Sequence, residues 1–87
     1  MPLVFIPPQL KELTGGVAEV EFEAKSVREV IAELENRFPG IRDRLCSGDE
    51  LSPELQVSID HQISSRGMRG KVESAGEVHF LPALGGG

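Results

Sequence analysis

Apolar residues change their spacing along the chain, and each spacing implies an element. Leu3 to Ile6 is an unbroken apolar run closed by Pro7 and Pro8, the pattern of a strand covered on both faces in the middle of a sheet. Thr14-Gly15-Gly16 signals a turn. Ala18 to Glu23 then alternates strictly, with Ala18, Val20 and Phe22 on one face and Glu19, Glu21 and Glu23 on the other, which predicts a half-buried strand with an acidic outer face. Ser26 opens a helix, because Ser-x-x-Glu with Glu29 makes a capping box and Val27, Val30, Ile31, Leu34 and Phe38 fall on one helical stripe. Pro39-Gly40 ends that helix. From Ile41 to Leu55 the periodicity fades into a mostly irregular connection, with turns at Ser47-Gly48-Asp49 and Ser52-Pro53. Gln56 to Asp60 alternates again with Val57 and Ile59 inward, and Asp60-His61 turns into a short return strand at Gln62 to Ser64. Glu77 to Leu81 is a last, strongly apolar strand in which Val78 and Phe80 face the helix while His79 and Leu81 point away; Pro82 closes it.

This order predicts an α+β fold. The first and last strands, both continuous apolar runs, lie side by side as the parallel centre of a mixed sheet, and one main helix crosses one face by the right-handed connection. That is a β-grasp, the ubiquitin architecture. It assigns residues 1–82 to the domain and 83–87 to a flexible glycine-rich tail that leaves from a central strand.

Length and charge narrow the classes. A chain of 87 residues is one domain, and at this size roughly 60 to 68% of the unfolded surface is buried, enough for a core without metal or disulfide staples. The single cysteine, Cys46, excludes an internal disulfide and favours a reducing cytoplasm. No apolar run reaches spanning length and no charged leader precedes the first strand, so neither a membrane helix nor a signal peptide is expected. A formal net charge of -5 argues against nucleic acid as a partner and suits docking on a basic protein surface. Arg66, Arg69 and Lys71, spaced by Gly67 and Gly70, are the one short basic cluster and read as a solvated hairpin.

The candidate chemistry sits at the end of the chain, Ala83-Leu84-Gly85-Gly86-Gly87. A terminal glycine has no Cβ to obstruct its carboxylate, and preceding glycines can thread a slot too narrow for ordinary side chains. The competing reading is a frayed end or a linker remnant. What separates the two is whether a compact domain presents the tail.

Leu81-Pro82-Ala83-Leu84-Gly85-Gly86-Gly87 resembles the Pro-x-Val-Ala-Gly-Gly ending of the ThiS/MoaD family, the ubiquitin-like sulfur carriers of thiamine and molybdopterin synthesis. The likeness extends over the opening strand, the capped helix, Val57 to Asp60 and Gly76-Glu77-Val78. Gly86 and Gly87 match the terminal pair, with Gly85 in place of the usual alanine and Leu84 in place of valine. Two turns depart from the pattern: Ser74-Ala75-Gly76 stands where the family has Gly-Asp, and Ser58-Ile59-Asp60-His61 where it has an Asn-rich turn. The opening Ile6-Pro7-Pro8-Gln9-Leu10 with Thr14-Gly15-Gly16 is similar to the branch that delivers sulfur for cysteine synthesis.

The resemblance implies a protein co-substrate rather than an enzyme, binding no cofactor of its own. An E1-like enzyme would adenylate Gly87 with ATP and Mg²⁺, sulfur would convert it to a thiocarboxylate, and a second, sulfur-accepting enzyme would consume it. Gly85 and Gly86 would thread the active site. Leu81, His79 and Met68, taken as exposed on the sheet surface around the last strand, are candidate partner-binding residues together with Leu84 of the tail; a singly exposed Leu81 of no consequence is the alternative. Fully extended, Ala83 to Gly87 reaches at most about 18 Å. A ubiquitin-like modifier joined to lysines through Gly87, and a non-covalent β-grasp module, remain open. His61 and His79, with no cysteine or carboxylate at ligand spacing, predict no metal site. Cys46 reads as structural, and Glu54, Asp60 and the acidic strand lack evident proximity for paired catalysis.

Overall fold

The computed structural model, which describes residues 1–83, turns the first apolar run into a strand at Leu3–Phe5 (β1) and the acidic alternating segment into one at Glu19–Glu21 (β2). A 3-10 helix, Pro8–Thr14, joins them. Two helices follow, Val27–Arg37 (α1) and Ile41–Leu45 (α2), then short strands at Cys46–Ser47 (β3) and Glu50–Leu51 (β4) that pair only with each other. Leu55–Ile59 (β5), Gln62–Ser64 (β6), a 3-10 turn at Gly67–Arg69 and Glu77–Pro82 (β7) complete the order. The main sheet runs β2-β1-β7-β5-β6. β1 and β7 are parallel with Val4 opposite Val78, and the other neighbours are antiparallel. The expected parallel pair is therefore present, with β7 at the exact centre.

α1 forms where the stripe and cap require it. Ser26 Oγ accepts from the Glu29 N–H at 3.2 Å, and Glu29 Oε1 reaches back to the Lys25 N–H at 3.0 Å, one residue before the usual capping-box partner. Val27, Val30 and Leu34 are fully buried and Ile31 almost so, facing Val4, Val57, Val78 and Phe80 of the sheet in one core. The helix ends at Phe38, and Gly40 takes φ 100°, a left-handed backbone that favours glycine. Glu35 ties the corner together, accepting from the N–H groups of Gly40 and Arg42; those bonds, Arg42 first, hold its carboxyl below the usual range.

Several expectations need correction. Only Val4 of β1 is fully covered, while Leu3 and Phe5 are half-exposed on the opposite face, because the single helical layer covers one side of the sheet. Ala18 is exposed and outside β2, since the strand shortens to the residues that pair with β1. The segment read as irregular holds α2, whose Ile41 and Leu45 are completely buried, and the β3–β4 hairpin around Ser47-Gly48-Asp49. The basic cluster is spread around a 3-10 turn rather than a hairpin, with Arg66 just before it, Arg69 in it and Lys71 beyond it in a bridge to Ser26. No helix among the described residues is long and apolar enough to cross a membrane.

Candidate functional site

β7 is paired on both sides at its start and on the β5 side to its end, which fixes the base of the tail. β1 holds Glu77 to His79, and β5 pairs with the strand from Val78 to Pro82. Beyond the last paired residue the Ala83 N–H still donates to the Glu54 carbonyl at 2.9 Å, and Gln56 Nε2 donates to the Pro82 carbonyl at 3.1 Å. Proline at this position has no N–H to lose from a ladder, so it can end the strand without leaving an unpaired donor. A cavity of about 170 Å³ lies beside this exit, lined in part by Gln9, Arg44, Glu54 and Pro82. Leu84, Gly85, Gly86 and Gly87 lie outside the described residues.

The outer face of the sheet, away from α1, is built by strand alternation. Residues opposite one another across the β1–β7 and β5–β7 pairs are Phe5 with His79, His79 with Ser58, and Leu81 with Gln56. Phe5 and His79 stack with ring centroids 4.1 Å apart and planes 6° from parallel. Leu81 and His79 are half-buried on this face rather than freely exposed, because cross-strand neighbours lean on them. Ile63, beside Ser58 on β6, is 56% exposed. The face thus carries a discontinuous apolar strip edged by Glu19 and Glu21 of β2.

Met68 does not belong to it. The 3-10 turn folds back against α1, leaving Met68 only 6% exposed and packed in the core. Its glycine and arginine neighbours suggested a solvated turn, yet the turn's one apolar side chain is the group that pins it down. Phe5 was not anticipated as a site residue; the parallel register that sets it on His79 is its only signal, and that register emerges from tertiary pairing.

The β5–β6 turn joins residues that are distant in sequence. Asp60 and His61 both have positive φ, 50° and 71°, the form of a two-residue hairpin turn. Asp60 Oδ1 accepts from the Gly76 N–H at 2.8 Å and the Glu77 N–H at 2.9 Å, and these bonds, Glu77 first, hold its carboxyl below the ordinary range. The same turn brings the His61 and His79 rings to 6.2 Å, each with Nε2 3.8 Å from Glu77 Oε1. Glu77, two residues before His79 on β7, thus lies between the two rings, although no group of three or more His, Cys, Asp or Glu among the described residues has metal-holding geometry. Cys46 is half-buried; desolvation raises its thiol above the ordinary value despite opposing interactions with Arg42, which disfavours the nucleophilic thiolate.

A helix on one face of a mixed sheet, with parallel first and last strands and the last strand central, defines a β-grasp domain of the ubiquitin-like class. The chain belongs to the ThiS family, whose model matches residues 4–87. It is similar to a chain of the BexX/CysO complex of Amycolatopsis orientalis, with 31% identity, full coverage of both chains and a TM-score of 0.87. It is also similar to CysO of Mycobacterium tuberculosis, described as an antigen, with 27% identity over 97% of this chain and 100% of that one and a TM-score of 0.83. SAMP1 from Haloferax volcanii shares the fold, with 20% identity, coverage of 98% and 97%, and a TM-score of 0.63. Among curated proteins no sequence matches significantly.

Proposed function

We propose that this protein is a sulfur carrier acting through the carboxylate of Gly87. That carboxylate is ionised at neutral pH and resists nucleophiles, so it must be activated before sulfur can be installed. An E1-like partner supplies ATP and Mg²⁺: the carboxylate oxygen attacks the α-phosphorus, pyrophosphate leaves, and an acyl adenylate results. Hydrosulfide released by a donor then adds to the acyl carbon, the bond to AMP breaks with its electron pair leaving on AMP, and loss of the sulfur-bound proton leaves a thiocarboxylate for a biosynthetic enzyme. The chain supplies the reactive end and the docking faces, while the partners supply the catalytic groups.

The observation that carries this reading is the pairing of β7, by β1 as far as His79 and by β5 on to Pro82, with Ala83 still hydrogen-bonded to Glu54. The tail begins at a fixed point, so a partner that grips the domain controls where the tail starts. Ordering the last residues costs about 1–2 kcal/mol each, so the tail alone binds weakly and the folded face must supply affinity. Leu81, His79 and Phe5 on the outer face are the residues for that contact, with Leu84 continuing it and Gly85 and Gly86 threading the slot. The net charge of -5 favours a basic docking surface. Cysteine synthesis is the proposed destination of the sulfur, supported by the opening segment and by likeness to CysO chains over nearly the full length. A reducing cytoplasm is the matching compartment.

Incubation with the cognate activating enzyme, ATP, Mg²⁺ and a sulfur donor, followed by intact-mass spectrometry, tests the proposal. The expected product is heavier by one oxygen-to-sulfur exchange. A ladder of lysine conjugates would instead identify a modifier, and an unchanged mass would reject activation at Gly87.

A further inference from the structure

The two edges of the main sheet are guarded unequally. β2 carries Glu19 and Glu21, with Glu23 just beyond, and like charges of this kind repel an added strand. β6 carries no charged residue. Its two-residue turn makes Ile59 and Gln62 the hydrogen-bonded pair, so Ile63, one step further on, directs its N–H and C=O away from β5. Among the described residues no backbone group outside the β5–β6 ladder bonds to Ile63.

A groove of about 380 Å³ follows this open edge, lined by Ile59, Ile63 and Ser64 and by Arg66, Gly70 and Lys71. Its width is set by close packing at Gly70, where a Cβ would meet Ile59 Cδ1, Ser64 Oγ and Val27 Cγ2 at 3.2 Å each. No carboxylate lines the groove itself. Arg37 and Arg42 have carboxylate partners, but no carboxylate of the described residues lies within ion-pair distance of Arg66, Arg69 or Lys71. Arg66 and Arg69 also line a neighbouring cavity with Asp49 and Glu50, and Lys71 lines one with Asp60 and Glu73, but only Arg66 and Lys71 line the β6 groove, so the positive charge along β6 is theirs.

We propose that β6 is a docking edge for an extended acidic segment of a partner protein, which adds beside Ile63 and sets its carboxylates against Arg66 and Lys71. Backbone bonds to Ile63 supply register, the exposed Ile63 side chain takes an apolar residue on the outer face, and alternate carboxylates fall on the basic side. Because a basic strip on a chain of net charge -5 repels a basic segment locally and the rest of the surface repels an acidic one, the edge discriminates by charge as well as shape. The site is compatible with tail chemistry and independent of it: β6 starts beside Ile59 of β5, whose own partner is Val78, at the end of β7 remote from Pro82.

The test is an NMR titration of the full chain at low salt with a blocked nonapeptide in which glutamate alternates with valine and threonine. Saturable amide shifts centred on Gln62, Ile63 and Ser64 are expected, with the Ile63 amide gaining protection from exchange. Charge reversal in an Arg66→Glu, Lys71→Glu double variant should weaken binding about tenfold, the loss expected for two exposed ion pairs. The same peptide with lysine for glutamate should not bind, a control that needs no protein variant. Absence of saturable shifts at millimolar peptide, shifts centred on His79 and Leu81, equal binding of the lysine peptide, or concentration-dependent self-association through this edge would each overturn the proposal.

Discussion

Asp60 shows how one side chain can connect segments that are far apart in sequence. Its Oδ1 receives the amides of Gly76 and Glu77, fixing the β5–β6 turn to the start of β7. The folded carboxyl is held below its ordinary value near 4, so the bonds add stability above that pH and lose it as pH falls through the lower, folded value. Asp60→Asn should therefore melt below the wild type at neutral pH, and the gap should close in acid. A gap that stays constant down to strongly acidic pH would remove the ionised carboxylate from the explanation. The turn itself was readable from Asp60-His61, but the partners of Asp60 were not, because they arrive through β7. Met68 was misplaced for the same reason: a lone methionine between arginines and glycines gives no period, and only its packing on α1 reveals its direction.

At the level of elements, long periodic segments could be read and short ones could not. The α1 stripe has several apolar positions and a cap, so its face was determined before any contact was known. α2 is five residues, too few for a period to repeat, and the 3-10 helix Pro8–Thr14 buries little beyond Leu10 and Thr14. Both depend on packing more than on propensity. Leu34 lies mid-stripe with no exposed surface, so Leu34→Ala should cost about 2 to 5 kcal/mol through lost burial and a residual cavity. Thermal unfolding should shift down by roughly 8 °C or more for a domain of this size. A melting temperature within a degree or two of wild type would contradict the helix-on-sheet core.

For the whole molecule, stability and reactivity are assigned to different parts of the chain. The core lies between α1 and the sheet, and every described strand pair ends by Pro82. The β-grasp was legible because two continuous apolar runs with one helix between them have few ways to pack, whereas the docking residues depend on a register no local pattern reports. The separation itself can be measured on two variants, one lacking Gly86 and Gly87 and the other Gly86→Val. The second keeps the Gly87 carboxylate but adds a branched side chain that restricts the backbone and widens the tail. Thiocarboxylate formation by intact mass, read beside melting curves, should show loading abolished in the truncation and sharply reduced in Gly86→Val while both melt like wild type; wild-type loading by Gly86→Val would contradict a threaded glycine tail.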